Sequence, residues 1–182
     1  MLSDTIFNIT TFDAFEETAL KVFAFQFENN PVYRSFCDLL YKHPSDVKQL
    51  EDIPFLPISF FKTHKITTET SNAEIIFTSS GTTSSATSKH HVADLNIYKK
   101  SYLKAFEHFY GNIEDYIILG LLPSYLERDG SSLIYMVNDL IEKSNDSRSG
   151  FYLNQLDELT ELLIALDTTT SKKILLIGVS FA

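Results

Sequence analysis

Ile75-Ile-Phe-Thr-Ser-Ser-Gly-Thr-Thr-Ser-Ser-Ala-Thr-Ser-Lys-His90 is the stretch of this chain from which its fold is best inferred. The first three residues form a short apolar run that is typical of a buried strand. Residues 78–88 are all small, and all but Ala86 are polar or glycine. Small residues let the backbone approach an anion closely, hydroxyl groups donate hydrogen bonds, and Lys89 adds a positive charge. The stretch therefore predicts a strand followed by a phosphate-holding loop.

A flexible surface linker is the alternative interpretation of this loop, because stretches rich in Ser and Thr commonly form linkers. Two features favour phosphate binding: the loop follows a strand directly, and its hydroxyl groups surround a single glycine. The loop is not a Walker motif, since the chain lacks GxxxxGK[ST]. The candidate phosphate-binding residues are Thr78, Ser79, Ser80, Gly81, Thr82, Thr83, Ser84, Ser88, Lys89 and His90.

Composition narrows the class of protein. The 182 residues carry a net charge of −9, which makes nucleic-acid binding a poor prediction. A single cysteine, Cys37, excludes an internal disulfide framework and a cysteine-based zinc site. It lies on an apolar helix stripe and is expected to be a small core residue rather than a nucleophile. No signal peptide and no apolar run of about 20 residues is present, so we expect a cytoplasmic protein without a membrane span.

Hydrophobic periodicity predicts helices that alternate with strands. Predicted helices cover 13–28 (capped by Asp13), a segment starting at Asn30-Pro31, 95–109 (capped by Asp94 and ended by Gly111), 131–142 and 156–166. Predicted strands cover 75–77, 116–122, 151–153 and 173–178, and the continuous apolar runs of 116–122 and 173–178 predict that these two are buried. Thr168–Ser171 is a predicted linker. The order indicates an α/β fold in which a parallel sheet is flanked by helices on both faces. We expect residues 1–60 to form a helical prelude and residues 61–182 the α/β layer, with the phosphate loop at 78–90.

The last predicted strand runs into Gly178-Val-Ser-Phe-Ala182, and no crossover helix follows it. An apolar strand left at a sheet edge invites association. We therefore expect either another chain that covers this strand or a missing C-terminal part, and favour the second.

Two further groups of polar residues are candidates for function. Adjacent histidines on a strand cannot both face one ion, so His90 and His91 predict one buried and one solvated histidine, and no metal site. Residues 123–132 follow the carboxyl end of a predicted strand, where α/β sheets place ligands. Arg128 could pair with a carboxylate or phosphate, and Ser131 and Ser132 could cap the next helix. The alternative is a capped turn with a surface arginine.

Several motifs, taken in order, resemble one enzyme family. Ser79-Ser-Gly-Thr-Thr83 resembles the [ST]-S-G-T-T-G loop of adenylate-forming enzymes. Together with Lys89-His90, the stretch Pro123-Ser-Tyr-Leu-Glu-Arg-Asp-Gly-Ser-Ser-Leu133 and Ser149-Gly-Phe-Tyr152, it is similar to acyl-protein synthetases of the LuxE type. The family loop usually has a second glycine where this chain has Ser84, then a proline, then a lysine two positions before Lys89.

The resemblance implies the N-terminal part of the large domain of an adenylate-forming enzyme. Its reaction would join a carboxylic acid, a fatty acid in this family, to AMP with ATP and Mg²⁺, and transfer the acyl group to a thiol, which an acyl-accepting protein could supply. It also implies substrate-binding roles for Tyr125, Arg128, Ser131 and Ser132. Later family motifs lie beyond residue 182, so we expect this chain to be inactive alone. A non-catalytic α/β binding or assembly module and a different phosphate-ligand enzyme remain alternatives.

Overall fold

The structure is a computed structural model that describes residues 2–68, 72–79, 87–123 and 130–179. The chain divides into two units, Met1–Ile97 and Tyr98–Ala182, which we call the N-terminal and the C-terminal unit.

The N-terminal unit consists mainly of helices and ends in a pair of strands. Its elements are α1 (Leu2–Ile6), α2 (Phe12–Asn29), α3 (Pro31–Leu39), a 3-10 turn (Leu50–Asp52), α4 (Phe60–Thr63), β1 (Ile75–Thr78) and β2 (Lys89–Val92). The C-terminal unit holds most of α5 (Leu95–Tyr110), a second 3-10 turn (Ile113–Asp115), β3 (Tyr116–Leu121), α6 (Ser132–Ser144), β4 (Gly150–Phe151), α7 (Leu156–Thr169) and β5 (Lys173–Gly178).

The junction between α2 and α3 is made by one asparagine. The backbone N–H of Asn30 donates to the carbonyl of Gln26 at the end of α2, and its side-chain oxygen accepts from the N–H of Tyr33 in α3. The predicted start of α3 at Asn30-Pro31 is therefore confirmed. The predicted cap of α2 is wrong: the side chain of Thr11, not of Asp13, accepts a hydrogen bond from Ala14. Both residue types can cap, and the backbone of Thr11 is extended as a cap requires.

The helices of the N-terminal unit enclose an aromatic core. Its buried members are Phe23, Phe27, Tyr33, Cys37, Val47 and Ile53. Cys37 is fully buried, which confirms that it is a core residue. The segment Ile53–Pro57 contains no strand, because each of its two prolines lacks the N–H group that a strand interior needs.

Strands β1 and β2 form an antiparallel pair in which Thr78 lies opposite Lys89. The strand predicted at 75–77 is confirmed, but its complete burial is wrong, because only Phe77 is buried and Ile76 is 42% exposed. Nor does β1 join the parallel sheet in the described part of the chain. A two-stranded ribbon leaves one face open, so alternate side chains of β1 reach solvent.

The C-terminal unit contains the predicted parallel sheet, with strand order β4-β3-β5. Alternate residues of β3 point to opposite faces: Tyr116 and Ile118 pack against α5 and α6, while Ile117 and Leu119 pack against α7. Helices therefore cover both faces of β3, and the α/β fold is confirmed.

Helix ends in this unit follow local sequence signals closely. Asp94 accepts from the N–H of Asn96 at the start of α5, and Gly111 ends that helix with a φ of +86°. Ser131 caps α6 by accepting from Ile134. The predicted linker at Thr168–Ser171 is wrong at its start, because α7 continues to Thr169.

Strand β5 lies at the edge of the described sheet. Leu175 and Ile177 pack into the cluster beneath α5 and α6, but Ile174 is 37% and Leu176 is 48% exposed on the other face. The prediction that β5 is a fully buried strand is therefore wrong. Parallel edge strands are buried only where a helix covers both of their faces. No helix among the described residues is long and apolar enough to cross a membrane.

Candidate functional site

The Ser/Thr-rich loop connects β1 to β2, and its two ends are held together by hydrogen bonds. The N–H of Ser79 donates to the carbonyl of Ser88 at 3.1 Å, and the N–H of Ser88 donates to the side-chain oxygen of Ser79, also at 3.1 Å. The candidate residues Ser80, Gly81, Thr82, Thr83 and Ser84 lie outside the described residues. The described ends nevertheless place the loop on a defined two-stranded base.

The base of the loop presents hydroxyl groups and a cation to solvent. Thr78, Ser79, Lys89 and His90 are exposed, and Ser88 is half-buried. Side chains directly opposite each other on paired strands have Cβ atoms about 4.5–5.5 Å apart. The ammonium group of Lys89 can therefore reach an anion held at the Thr78 end of the loop.

The two histidines of β2 differ in their surroundings. His90 is exposed, and its ring meets the ring of Phe61 edge-on at 5.7 Å between centroids. His91 is half-buried, and its pKa lies below the usual value because of burial and then because of the positive charges of Lys65, Lys89 and His90. The prediction of one fully buried histidine is wrong, since the ribbon leaves both partly accessible.

Lys65, Lys89 and His90 therefore form a cluster of basic residues within electrostatic reach of His91, near the second end of the loop. Lys65 belongs to this cluster, although the sequence gave no reason to single it out, because it lies 24 positions before Lys89 and no motif connects them. In the described part of the chain, no group of three or more His, Cys, Asp or Glu side chains could hold a metal ion.

The second set of candidate residues lies in the C-terminal unit. Ser131 is the N-cap of α6, which confirms its capping role, and Ser132 is the first residue of that helix. The carbonyl of Ser132 accepts a hydrogen bond from the hydroxyl of Tyr98 at 2.9 Å. Tyr125 and Arg128 lie outside the described residues. The phosphate-binding candidates of the loop and the substrate-binding candidates thus belong to different units. The substrate-binding role of the second set stays a prediction.

The chain was compared with known proteins. The family model described as "Acyl-protein synthetase, LuxE" matches residues 10–105, more than half of the 182 residues. The match includes α2 to β2 and the whole Ser/Thr-rich loop, but it ends before residues 123–132. Neither a curated protein nor a solved structure matches the chain.

Proposed function

Since the chain belongs to the LuxE acyl-protein synthetase family, we propose that it acts in the ATP-dependent activation of a carboxylic acid, such as a fatty acid, as an acyl-adenylate. The acyl group then passes to a thiol. A carboxylate is a poor electrophile, so an enzyme that joins an acyl group to a protein needs an activated form of the acid. Adenylation supplies that form by converting a carboxylate oxygen into part of a good leaving group.

The observation that carries the proposal is the geometry of the loop base. A strand pair fixes both ends of a glycine-containing loop, with exposed hydroxyl groups of Thr78 and Ser79 on one side and Lys89 on the other. Such a loop suits the β- and γ-phosphates of ATP, because hydroxyl and backbone N–H groups donate to phosphate oxygens and the ammonium group offsets their charge.

The chemistry has two steps. An oxygen of the carboxylate attacks the α-phosphorus of ATP, the bond from that phosphorus to the bridging oxygen breaks, and pyrophosphate leaves. A thiolate sulfur then attacks the acyl carbon, and AMP leaves with the electron pair of the broken carbon–oxygen bond. In this scheme the loop residues and Lys89 stabilise the negative charge that builds up on the departing pyrophosphate.

Mg²⁺ fits this scheme as an ion held mainly by the nucleotide. Magnesium in nucleotide sites usually keeps several waters and is bound through substrate phosphates with one or two carboxylates. The described residues, which contain no dense cluster of metal ligands, are compatible with such binding. The ion would supply further neutralisation of the triphosphate charge.

Nucleotide binding to this chain tests the proposal. We expect Gly81→Val to abolish ATP binding measured by calorimetry, because a β-branched side chain prevents close approach of the backbone to phosphate. Lys89→Met should weaken binding at least tenfold, since a hydrogen bond to a charged group contributes about 1.5–3 kcal/mol. Asn72→Val and Lys48→Met, both at exposed positions outside the loop, are the matched controls and should bind ATP like the wild type.

The alternatives give different results. The proposal predicts ATP–pyrophosphate exchange that depends on an added carboxylic acid, measured with the natural gene product. Nucleotide binding without acid-dependent exchange would instead indicate a different phosphate-ligand enzyme. Absence of nucleotide binding, with the fold intact by circular dichroism, would indicate a non-catalytic α/β module.

A further inference from the structure

A cavity of about 750 Å³ lies within the N-terminal unit. Its volume falls in the range of roughly 300–1,000 Å³ that is usual for small-molecule sites. Helix α2 forms one wall with Ala19, Val22 and Phe25, and the connector over Ile53–Leu56 forms another. The cavity is therefore built from the two segments that also enclose the aromatic core.

The walls of the cavity are suited to an apolar ligand. Two large aromatic side chains that line it stay accessible, since Phe25 is 43% and Phe55 is 74% exposed. The polar residues Tyr33 and Asn30 of the wall already make hydrogen bonds inside the protein: the Tyr33 hydroxyl donates to the carbonyl of Pro54 at 2.7 Å, and Asn30 links α2 to α3. The wall thus offers apolar surface rather than unused polar groups.

One edge of the cavity carries two histidines and has two lysines nearby. His90 and His91 of β2 line it, next to the end of the Ser/Thr-rich loop. Lys65 and Lys89 act electrostatically on His91, and in the described part of the chain no carboxylate forms an ion pair with either lysine. An anionic group at this edge would lie near two lysines and two histidine rings, which can donate hydrogen bonds to it.

We propose that this cavity holds the hydrocarbon chain of the carboxylic acid substrate, with its carboxylate at the edge lined by His90 and His91, within electrostatic reach of Lys65. The inference rests on the proposed function, since it gives the acid of that reaction a place beside the loop that would hold ATP. Charge and polarity together select this ligand. A neutral lipid has no anionic group to pair with the basic residues near this edge, and a small inorganic anion leaves the apolar walls uncovered.

Binding of a fluorescent fatty acid to the 182-residue chain tests the inference without any catalytic step. We expect saturable binding of cis-parinaric acid with one site per chain, and displacement by straight-chain acids. Each added methylene group should lower the dissociation constant of the displacing acid by up to about fourfold until the cavity is full. No saturable binding would overturn the inference.

Two matched pairs of variants locate the site. Ala19→Phe fills the cavity and should weaken binding at least tenfold, whereas Ala24→Phe, at a half-buried alanine of the same helix that does not line the cavity, should stay within twofold. If circular dichroism shows that Ala19→Phe is unfolded, Phe25→Ala, which removes an exposed wall residue, is compared with Phe12→Ala. Equal responses within the pair used would overturn the inference.

A further pair of variants tests whether the carboxylate lies at the edge lined by His90 and His91. Lys65→Gln should weaken the binding of parinaric acid about fivefold and leave the binding of its methyl ester unchanged, since the ester carries no charge to pair with the lysine. Lys48→Gln, an exposed lysine outside the cavity, should change neither ligand. An equal loss for acid and ester in Lys65→Gln would count against the carboxylate being at this edge.

Failure of this inference and failure of the proposed function are distinguishable. Acid binding that depends on Ala19, in a protein without acid-dependent ATP–pyrophosphate exchange, would refute the ligase and retain the cavity as an acyl site. Exchange whose preference for chain length is unchanged by Ala19→Phe would retain the ligase and overturn the cavity site.

Discussion

At the scale of single residues, the carboxylate of Asp146 links the loop that follows α6 to the loop that precedes β5 in the C-terminal unit. It follows α6, and it accepts hydrogen bonds from the Nε and Nη2 atoms of Arg148, both at 2.8 Å. The ammonium group of Lys172, just before β5, lies 3.1 Å from Oδ2 of Asp146, the oxygen that also accepts from Nη2 of Arg148. These contacts, led by the hydrogen bond from Arg148, hold the pKa of Asp146 well below its usual range.

This lowered pKa predicts an acid-sensitive contribution to stability. A carboxyl group whose pKa is lower in the folded than in the unfolded state stabilises the fold fully above its unfolded pKa of about 3.9, and the contribution is lost as pH falls toward the folded pKa. Asp146→Asn should therefore reduce the free energy of unfolding by about 1.5–3 kcal/mol at pH 7, and by progressively less below pH 4. Urea unfolding across this pH range measures the difference.

Glu161→Gln, at an exposed position of α7, is the control for this experiment and should change stability by less than about 0.5 kcal/mol at every pH. A stability difference for Asp146→Asn that stays constant down to pH 2 would contradict the assignment of the carboxylate as the stabilising form.

At the scale of elements, the two-residue length of β4 has an identifiable cause. The side-chain oxygen of Ser149 accepts a hydrogen bond from the backbone N–H of Ile118 in β3 at 3.0 Å. It also lies 2.8 Å from the hydroxyl oxygen of the fully buried Ser144 at the end of α6. A side chain therefore takes the place of a ladder hydrogen bond, and regular pairing with β3 begins only at Gly150.

The aromatic residue that follows also explains a glycine in β3. A Cβ atom at Gly120 would come within 2.9 Å of the ring of Phe151, so any side chain at residue 120 would force this ring to move. Ser149-Gly-Phe-Tyr152, which the sequence offers as a family motif that overlaps a predicted strand, thus has a structural role in sheet pairing.

Removing the Ser149 hydroxyl should destabilise the sheet. Ser149→Ala leaves the N–H of the buried Ile118 without an acceptor, which costs about 1–3 kcal/mol. Chemical denaturation measures the loss, and hydrogen exchange at the Ile118 amide should quicken. Ser147→Ala, an exposed serine two positions earlier, is the matched control and should be neutral. Unchanged exchange at Ile118 in the Ser149 variant would argue against this hydrogen bond.

At the scale of the whole molecule, each unit has hydrophobic clusters of its own. Among the residues that the structure describes, the N-terminal unit has one cluster of buried residues beneath its helices, and the C-terminal unit has one on each face of β3. The net charge of −9 is a property of the entire chain, and it contrasts with the local group of cations around the end of the Ser/Thr-rich loop.

This contrast predicts selective binding of anions. A polyanion such as duplex DNA meets net repulsion from the chain, whereas a small anion needs only the local cations. We expect no binding of a 20-base-pair DNA probe in 0.1 M salt by fluorescence anisotropy, under conditions in which ATP binds. Micromolar affinity for the DNA probe would show that the local cations dominate over the charge of the whole chain.

Much of the fold could be predicted because its signals are local. The apolar stripe of α6 and the continuous apolar run of β3 identify both elements without knowledge of their neighbours. The cap of α2 could not be assigned in the same way, because Thr11 and Asp13 are both good capping residues and only backbone geometry separates them. The cation cluster was missed in part because Lys65 joins it only through folding.

The sequence by itself determined which segments become helices or strands, the composition of the Ser/Thr-rich loop and the motifs that point to the family, since all of these depend on neighbouring residues. Only the tertiary structure decided that β1 pairs with β2, that Ile174 and Leu176 stay exposed, and that a cavity lies beside His90 and His91. Strand partners, burial and cavities depend on which distant segments pack together. A local sequence pattern does not specify that packing.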